Sequence, residues 1–418
     1  MQSFDKDRQL ALVLASKIPD PTTGGGDYTV VGMVRGLLEL GYEVVIIATS
    51  QIAIESQEIK SLKKRFNQRL SCKEDIARLA TSKWFSILDR VSKRCLKKWV
   101  IRRICYSFYK VDIAFAYHFP SVNLLSEFGR HIAGPTVAIL GDPPHLPGVY
   151  RDLATIYDGN IEDFQECYRR FCLSKYGANI LSSSKSGIDG VDYFFACANH
   201  HVDDYVSLFG RRVSYTRTPI WRENLENCVS IPKNLNPSKI NVLHIGHLSG
   251  TATSNGVAGL LHGLARAKSG SLDEVVLHLV GGRIDKLEPT SRKSLELNQA
   301  VLIHGKTDVP HLWYTHVSAL IVPISIPLGI RVRILTAMAY GCPIIAHEAN
   351  KLGIPELVNG YNCVLYSDED NVVEVILNAV NDQYLLDKLS KNASNTYQDK
   401  FVAQSVMSNL AEICSINA

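Results

Sequence analysis

The sequence lacks the features that define several protein classes. Its 418 residues contain no apolar run near the roughly 18 residues that a membrane-spanning helix needs. The ten cysteines form no C-x-x-C pair and no Cys/His cluster at zinc-binding spacing. The N-terminus carries charges where a secretory signal would begin, and its apolar run, Leu10 to Ala15, is short. We therefore predict a reduced, cytoplasmic protein without disulfides, structural zinc or a spanning helix.

The charge of the chain is small overall but unevenly distributed. The whole chain carries +4, whereas Lys60 to Arg103 holds 15 Lys and Arg against three acids, a local charge of +12. Trp84 and Trp99 fall on the apolar face of a predicted helix among these basic residues. This pattern favours peripheral contact with an anionic membrane surface. The alternative is a helical insertion, about 55–108, that packs on its own domain. A nucleic-acid partner is not expected, because no recognition module accompanies the charge.

Apolar runs alternate with helical periodicity along the whole chain, which is typical of parallel α/β sheets. Leu10 to Ala15 begins one such set and Asn241 to Ile245 begins another, each followed by a glycine-containing loop and a helix. The stretch between the sets, Thr216 to Lys239, is rich in Pro and Asn and has no periodicity, as in a linker. The predicted domains are 1–218, a linker at 219–239, a second domain at 240–393, and a C-terminal helix at 394–418 that packs back on the first domain.

Two local predictions refine this outline. The first helix is expected over Tyr28 to Leu40, with Gly41 ending it as a C-cap. The C-terminal stretch, Asn371 to Ile416, is expected to form two helices broken near Ser394.

The most informative segment is Pro323 to Ala346, PISIPLGIRVRILTAMAYGCPIIA. An apolar run ends there, a loop with Gly329 follows, and Arg331 and Arg333 stand where an amphipathic helix begins. A helix N-terminus presents backbone N–H groups and the positive end of a dipole to an anion. Guanidinium groups add charge-assisted bonds to phosphate. The segment therefore predicts a phosphate site, and the alternative is two solvated arginines on an ordinary helix.

These segments, taken in order, resemble a GT-B glycosyltransferase of the retaining family-4-like group. PDPTTGGGDYTVVGMVRGLLELGYEV is similar to the family's opening loop, helix and strand, and NVLHIGHLSGTATSNGVAGLL to the start of its nucleotide-sugar domain. LGIRVRILTAMAYGCPIIA and LGIPELVNGYNCVLYSD resemble its donor-binding core. One subgroup carries G-T-R-x-K-x-L-E-A-x-A-x-G-x-P, and its Gly, Arg and Lys positions correspond to Gly329, Arg331 and Arg333.

The resemblance implies two Rossmann-like domains facing each other across a cleft. It also implies sugar transfer, with retention, from a UDP, GDP or dTDP donor to a glycan, lipid-linked or other acceptor. No cofactor is implied. Arg331 and Arg333 would neutralise the leaving diphosphate. The residues implied for donor binding are Gly25, Gly26, Gly246, Ser249, Gly250, Thr251, Asn255, Gly329, Ile330, Thr336 and Glu356.

Polar residues at strand ends supply the other catalytic and acceptor-side candidates. His118 follows a predicted strand and matches the family's H-x-P stretch, whose histidine lies near the transferred sugar. The next strand leads into GDPPHLPGVYR, which brings Asp142, His145 and Arg151 to the same edge. Asp142 or His145 is expected to act as a base or to orient an acceptor hydroxyl. Turn chemistry around the two prolines is the alternative.

Four positions depart from the family pattern. Thr336 and Leu328 stand where the family has donor-binding glutamates, and His247 and Asn255 stand near its Arg and Lys. A threonine offers a ribose only one neutral partner, and losing a charge-assisted bond costs about 1–3 kcal/mol of donor binding. These departures leave open a second function: a degenerate GT-B protein that serves as a sugar-nucleotide-binding or partner subunit.

Metal and dinucleotide chemistry find little support in the sequence. No D-x-D element stands at a strand end, so we predict a metal-independent reaction in which the arginines carry the phosphate charge. A third class, an epimerase or dinucleotide-dependent enzyme on the same architecture, lacks G-x-G-x-x-G in either first loop. The sugar, the acceptor, the linkage and the oligomeric state have no recognisable signature.

Overall fold

The computed structural model describes residues 8–22, 24–48, 56–66, 69–73, 111–155, 161–185, 188–223, 232, 235–248, 250–267, 273–283, 293, 300–307, 309–368 and 371–416. The chain divides into two compact units. The first draws on residues 1–145, 169–219 and 403–418, and the second on 146–168 and 220–402. Leu146–Tyr168 thus belongs to the second unit although it precedes the predicted linker.

The strands form two parallel sheets. They are β1 (Leu10–Ala15), β2 (Glu43–Ala48), β3 (Leu70–Lys73), β4 (Ile113–Tyr117), β5 (Thr136–Leu140), β6 (Tyr193–Ala196), β7 (Ser214–Tyr215), β8 (Ile240–Ile245), β9 (Val275–Val280), β10 (Val301–Gly305), β11 (Ala319–Val322), β12 (Ile344–His347) and β13 (Val364–Tyr366). The first unit has the order β3-β2-β1-β4-β5-β6-β7, and the second β10-β9-β8-β11-β12-β13. Strands β1, β4, β5, β9 and β11 are buried along their whole length, because parallel strands covered on both faces need apolar residues throughout.

Helices connect these strands and complete each unit. They are α1 (Gly25–Glu39), α2 (Gln57–Arg65), α3 (Phe119–Gly129), α4 (Leu146–Thr155), α5 (Ile161–Leu173), α6 (Lys175–Lys185), α7 (His201–Phe209), α8 (Thr251–Arg266), α9 (Pro310–His316), α10 (Val332–Ala339), α11 (Ala349–Gly353), α12 (Val372–Val380), α13 (Gln383–Lys400) and α14 (Ala403–Ile416). In the described part of the chain, no helix is both long and apolar enough to cross a bilayer.

Helix α1 begins inside the glycine triplet and ends as the sequence predicted. Gly24 is its N-cap, so the helix starts three residues before the predicted Tyr28. At the other end Gly41 has φ 99°, and its N–H donates to Leu38 while that of Tyr42 donates to Leu37. This is a Schellman cap, which requires a left-handed residue after the helix, and glycine adopts that conformation at little cost.

The C-terminal prediction of two helices broken near Ser394 is wrong. Helix α13 starts after Asp382, whose side chain caps it by accepting from Leu385 N at 2.9 Å. From there the helix runs through Ser394 without interruption. The described C-terminal stretch instead holds α12, α13 and α14, separated by short breaks. Helix α14 packs on α1, where a Cβ at Gly36 would come 2.5 Å from the Ala403 carbonyl oxygen.

The basic segment is only partly described. Helix α2 overlaps its start, and β3 pairs in parallel with β2 at the edge of the first sheet. A purely helical insertion over 55–108 is therefore wrong for residues 70–73, which extend the sheet. The predicted amphipathic helix with Trp84 and Trp99 lies outside the described residues.

Candidate functional site

The loop between β11 and α10 carries the predicted arginine pair. Gly329 has φ 67° in this loop, and Arg331 is the N-cap of α10, with its carbonyl accepting from Ile334 N at 2.8 Å. The Arg331 guanidinium donates from Nη2 to the Ile326 carbonyl at 3.1 Å. No acid stands in the first turn of α10, so the positive end of the helix dipole is not offset there.

Arg333 lies in the first turn of α10 and points at the end of β8. Its Nη1 is 3.2 Å from His244 Nε2, and its Nη2 is 3.5 Å from Thr253 Oγ1 on α8. Gly246, at φ 144°, makes room for the guanidinium: a Cβ there would come 2.5 Å from Arg333 Cζ. Glycine is therefore required at position 246 both by its backbone conformation and by the arginine packed against it.

Arg333 is a cation without a counter-charge. Among the described residues, no carboxylate lies within ion-pair distance of its guanidinium. Burial and, to a lesser extent, the positive charge of Arg331 lower the pKa of Arg333 to about 10, while Tyr314 opposes the shift. The side chain remains charged at neutral pH. An unpaired, desolvated cation is costly to fold around, so this position is suited to an anionic ligand.

The other predicted donor residues of the second unit fall around the same loops. Gly250 is the N-cap of α8, Thr251 begins that helix, and Asn255 lies exposed on it. Ile330 is partly buried beside Arg331 in the chain, and Ser249 lies outside the described residues. Thr253 was missed by sequence reasoning. Its position two residues after Thr251, in the first turn of a helix that follows a glycine, was the available signal.

Two of the predicted donor-binding residues make hydrogen bonds within the second unit. Thr336 is 7% exposed, and its hydroxyl donates to the Val332 carbonyl at 2.9 Å, so its hydrogen is used within α10. Only its oxygen lone pairs remain to meet a ribose hydroxyl. Glu356 lies in a turn after α11, and its carbonyl accepts from Asn362 Nδ2 at 2.9 Å. Glu356 therefore does not stand at the start of a helix.

In the first unit, His118 occupies a strained position at the end of β4. Its φ of 65° is rare for a residue with a side chain, and such strain tends to collect at functional sites. The imidazole packs against Gly141 after β5 and lies near Gly26 in the first turn of α1, where a Cβ would be 3.3 Å from Nε2. Burial lowers the pKa of His118, although Asp142 and Asp27 oppose the shift, so the ring is neutral at pH 7.

Asp142 belongs to a cluster that sequence reasoning only partly identified. Its Oδ1 lies 3.8 Å from Nε2 of His201, whose Nδ1 lies 2.9 Å from Asp204 Oδ2. His145 is buried nearby, and burial lowers its pKa while Asp204 opposes that shift. His201 and Asp204 start α7, and the available signal was the i, i+3 spacing of a histidine and an acid after a strand. Asp142 and His145 thus both lie near His201, which the sequence did not single out.

The remaining acceptor-side and metal predictions are located as follows. Arg151 lies exposed on α4, in the second unit, whereas His145 belongs to the first. Gly25 opens α1 beside Gly26. Across the ranges that the structure covers, no three His, Cys, Asp or Glu side chains are grouped as metal ligands.

Comparison with known proteins relates this arrangement to one family. Residues 239–382 match the family model of Glycosyl transferases group 1. No curated protein matches the chain in sequence.

Solved structures match nearly the whole chain at low identity. HepE of Anabaena in complex with UDP-glucose has a TM-score of 0.63 at 14% identity, covering 97% of this chain and 100% of that one. Sucrose-phosphate synthase from Thermosynechococcus elongatus gives 0.63 at 15%, covering 97% and 98%. TarM gives 0.65 at 12%, covering 98% and 100%. The predicted fold is confirmed: two Rossmann-like α/β domains of the GT-B class.

Proposed function

We propose that this protein is a glycosyltransferase that moves a sugar from a nucleotide-activated donor to a glycan, lipid-linked or other acceptor. The observation that carries the proposal is the Arg333 guanidinium, held beside Gly246 without a counter-charge and next to the unneutralised N-terminus of α10. The family match over residues 239–382 includes this whole arrangement and supports the same reading.

The chemistry of the reaction explains why two cations stand there. Breaking the bond between sugar and phosphate leaves negative charge on the diphosphate, and stabilising that charge is the main catalytic demand. Arg331 and Arg333 can each donate to phosphate oxygens, and the N–H groups at the start of α10 add to them. Because these groups carry the charge themselves, we propose that the reaction needs neither a metal ion nor another cofactor.

The proposed transfer proceeds with retention of the anomeric configuration. The donor carries UDP, GDP or dTDP. The bound UDP-glucose of HepE supports UDP as the first nucleotide to test. In the second unit, donor contacts are assigned to Gly246, Gly250, Thr251, Thr253 and the Thr336 oxygen. Their roles rest on position, since these residues surround the arginines or the loops that lead to them.

We assign acceptor chemistry to the first unit. Neutral His118 can accept or donate a hydrogen bond to a hydroxyl, and its strained backbone fixes where the ring points. Asp142 is partly exposed, as a group that meets an acceptor must be, and it lies at the carboxyl end of a parallel sheet, where α/β proteins bind ligands. Asp142 or His145 would serve as base or orienting group.

A second function remains in competition. Thr336 and Leu328 lack the carboxylates of the family pattern, and the Thr336 hydroxyl hydrogen is donated within its own helix. These features favour a sugar-nucleotide-binding or partner subunit without transfer. A dinucleotide enzyme is less favoured because neither first loop spells G-x-G-x-x-G.

Donor hydrolysis in the absence of acceptor discriminates these functions. The protein is incubated with a panel of UDP-, GDP- and dTDP-sugars, and nucleotide release is followed by chromatography. Slow release of one nucleotide, lost in Arg333→Met, supports a transferase. Tight binding of a nucleotide sugar without release supports the binding subunit. Neither binding nor release across the panel would contradict the proposal.

The predicted partners and location extend this proposal. The +12 charge of Lys60 to Arg103 supports peripheral attachment to an anionic membrane surface at its cytoplasmic face. A lipid-linked acceptor would be reached from such a position. Nucleic acid is not among the proposed partners.

A further inference from the structure

His244 on β8 has a defined hydrogen-bonding state. Its Nδ1 is 3.1 Å from the Ile321 carbonyl, which can only accept, so Nδ1 carries the hydrogen. The ring is completely buried, and burial lowers the pKa of His244 to about 3, with Arg333 adding to the shift. The imidazole is therefore neutral, and Nε2 presents a lone pair to Arg333 Nη1 at 3.2 Å.

We infer that His244 is a positioning residue that aims the Arg333 guanidinium at the anion. The inference rests on the proposed function, since it concerns the same phosphate site. A carboxylate in place of His244 would hold the guanidinium more strongly, but it would also cancel the charge that the ligand needs. A neutral imidazole accepts one N–H and leaves the positive charge available. His244 would thus resemble the groups that hydrogen-bond to a metal ligand from behind and fix its orientation, with the Arg333 guanidinium in the place of the ligand.

The packing around Arg333 explains why a single acceptor can set its direction. Nη2 approaches Thr253 Oγ1 at 3.5 Å, and the Gly246 backbone lies against the guanidinium plane. Gly281, which has φ 148°, packs its backbone on Gly246 in turn. A side chain at position 281 would overlap the Gly246 carbonyl. The guanidinium is thus confined on these sides, and its other N–H groups are those that a phosphate can engage.

Two amide substitutions separate the hydrogen bonds of His244. In His244→Asn the amide nitrogen can replace Nδ1 and keep the bond to Ile321, but no acceptor reaches Arg333. In His244→Gln the longer amide can replace Nε2 and accept from Arg333. If His244 positions Arg333, the Asn variant loses anion affinity and the Gln variant retains it.

A buried histidine on the adjacent strand serves as the matched control. His278 on β9 sits opposite Leu243 in the register and is as fully buried as His244. Its ring nitrogens face Asn241 and His304 and make no contact with Arg333. His278→Asn therefore reports the cost of changing a buried histidine of this sheet without touching the phosphate site.

The experiment measures two quantities on each full-length variant. Calorimetry gives the affinity for inorganic pyrophosphate and for UDP, with uridine as the uncharged comparison. Nitrogen-15 NMR of arginine side chains, with Arg333→Lys assigning the signal, reports whether the Arg333 guanidinium rotates freely in the unliganded protein. For His244→Asn we expect about tenfold weaker pyrophosphate binding, unchanged uridine binding and a freely rotating Arg333. His244→Gln should stay within about threefold of wild type, and His278→Asn should change neither quantity.

The outcomes distinguish this inference from the proposed function. An Arg333 signal that stays restricted in His244→Asn would overturn the positioning role, whether or not the protein transfers sugar. So would equal losses of pyrophosphate affinity in the Asn and Gln variants. A wild-type protein that binds no pyrophosphate and no UDP would contradict the proposed function, and the NMR signal would then decide the positioning role alone.

Discussion

The imidazole of His118 packs directly on the backbone of Gly141, so that a Cβ at position 141 would overlap Cε1 of the ring. On its other side the ring lies near Gly26, where a Cβ would be 3.3 Å from Nε2. Two glycines, Gly141 in the loop after β5 and Gly26 in the first turn of α1, therefore form the space that holds this histidine. Its strained φ of 65° is maintained by that packing.

Replacing Gly141 by alanine should displace the His118 ring further than replacing Gly26 by alanine. In Gly141→Ala the new methyl overlaps the ring, so the ring must move, and we expect transfer to fall by about tenfold or more with a loss of about 1–3 kcal/mol of stability. In Gly26→Ala the contact is only tight, and a smaller loss is expected. Initial rates of transfer and thermal unfolding of both variants provide the measurement.

The loss of transfer should be larger in Gly141→Ala than in Gly26→Ala, and a third glycine serves as the control for stability. Gly250→Ala, where the nearest atom to a new Cβ is 4.0 Å away and φ is −78°, should leave stability within about 0.5 kcal/mol of wild type. Equal rates in Gly141→Ala and wild type would show that the position of His118 does not matter for transfer.

Arg331→Ala should weaken binding of a nucleoside diphosphate more than binding of the free nucleoside. The substitution removes a charge partner that only the phosphates can use. Thermal shift measures the difference, since a ligand at 100 times its dissociation constant adds about 2.7 kcal/mol of stability. Arg331→Lys, which keeps the charge but not the planar fork, should lie between. Equal losses for nucleoside and nucleoside diphosphate would argue that Arg331 has another role.

Transfer should survive chelation. We expect rates to stay within about twofold of the untreated rate in excess EDTA, because the arginines rather than a cation neutralise the leaving diphosphate. The measurement is the initial rate with and without chelator, followed by readdition of Mg²⁺ or Mn²⁺. Loss of activity that either ion restores would refute metal independence.

Stability should fall in mild acid partly through His278. Burial and, to a lesser extent, the neighbouring His304, 2.9 Å away, lower the pKa of His278 to about 4. The unfolded side chain binds its proton near pH 6.5, so between about pH 6.5 and 4 the unfolded state holds more protons, and the free energy of unfolding decreases as the pH falls. Above that window this group has no effect.

Urea unfolding from pH 7.5 to 4.5 tests this. His278→Gln cannot titrate, so its free energy of unfolding should fall less steeply with acid than that of wild type, by at most about 3 kcal/mol across the window. Parallel profiles for the two proteins would show that folding does not lower the pKa of His278.

The basic segment should bind anionic vesicles. Each basic residue near such a surface contributes on the order of 1 kcal/mol at modest salt, so co-sedimentation with phosphatidylglycerol vesicles should exceed that with neutral ones. Binding should weaken at 1 M salt, where the Debye length falls to about 3 Å. Replacing Trp84 and Trp99 should remove the part that resists salt. Equally poor binding to both vesicle types at low salt would exclude the membrane surface as a partner.

The sequence alone determined most of the strands and helices and the place of Arg331 and Arg333 at the start of one helix. Buried strands appear as continuous apolar runs because every position of a central parallel strand is covered, and Leu10 to Ala15 shows this plainly. Gly41 marked a helix end because its cap needs a left-handed residue. Arg331 and Arg333 could be assigned to an anion because the local pattern of strand, loop and helix start dictates which backbone groups face them.

Only the tertiary structure decided what surrounds those residues. His244 and Arg333 are 89 residues apart, and their contact depends on β8 lying beside β11 in the sheet, which no local pattern encodes. In the same way, Gly141 and His118 meet because β4 and β5 are neighbours. Helix breaks near Asp382 and Val402 were missed because propensity there is weak, and packing determined where the helices end. Sequence patterns record which faces are buried, whereas the partners across those faces follow from strand order and register.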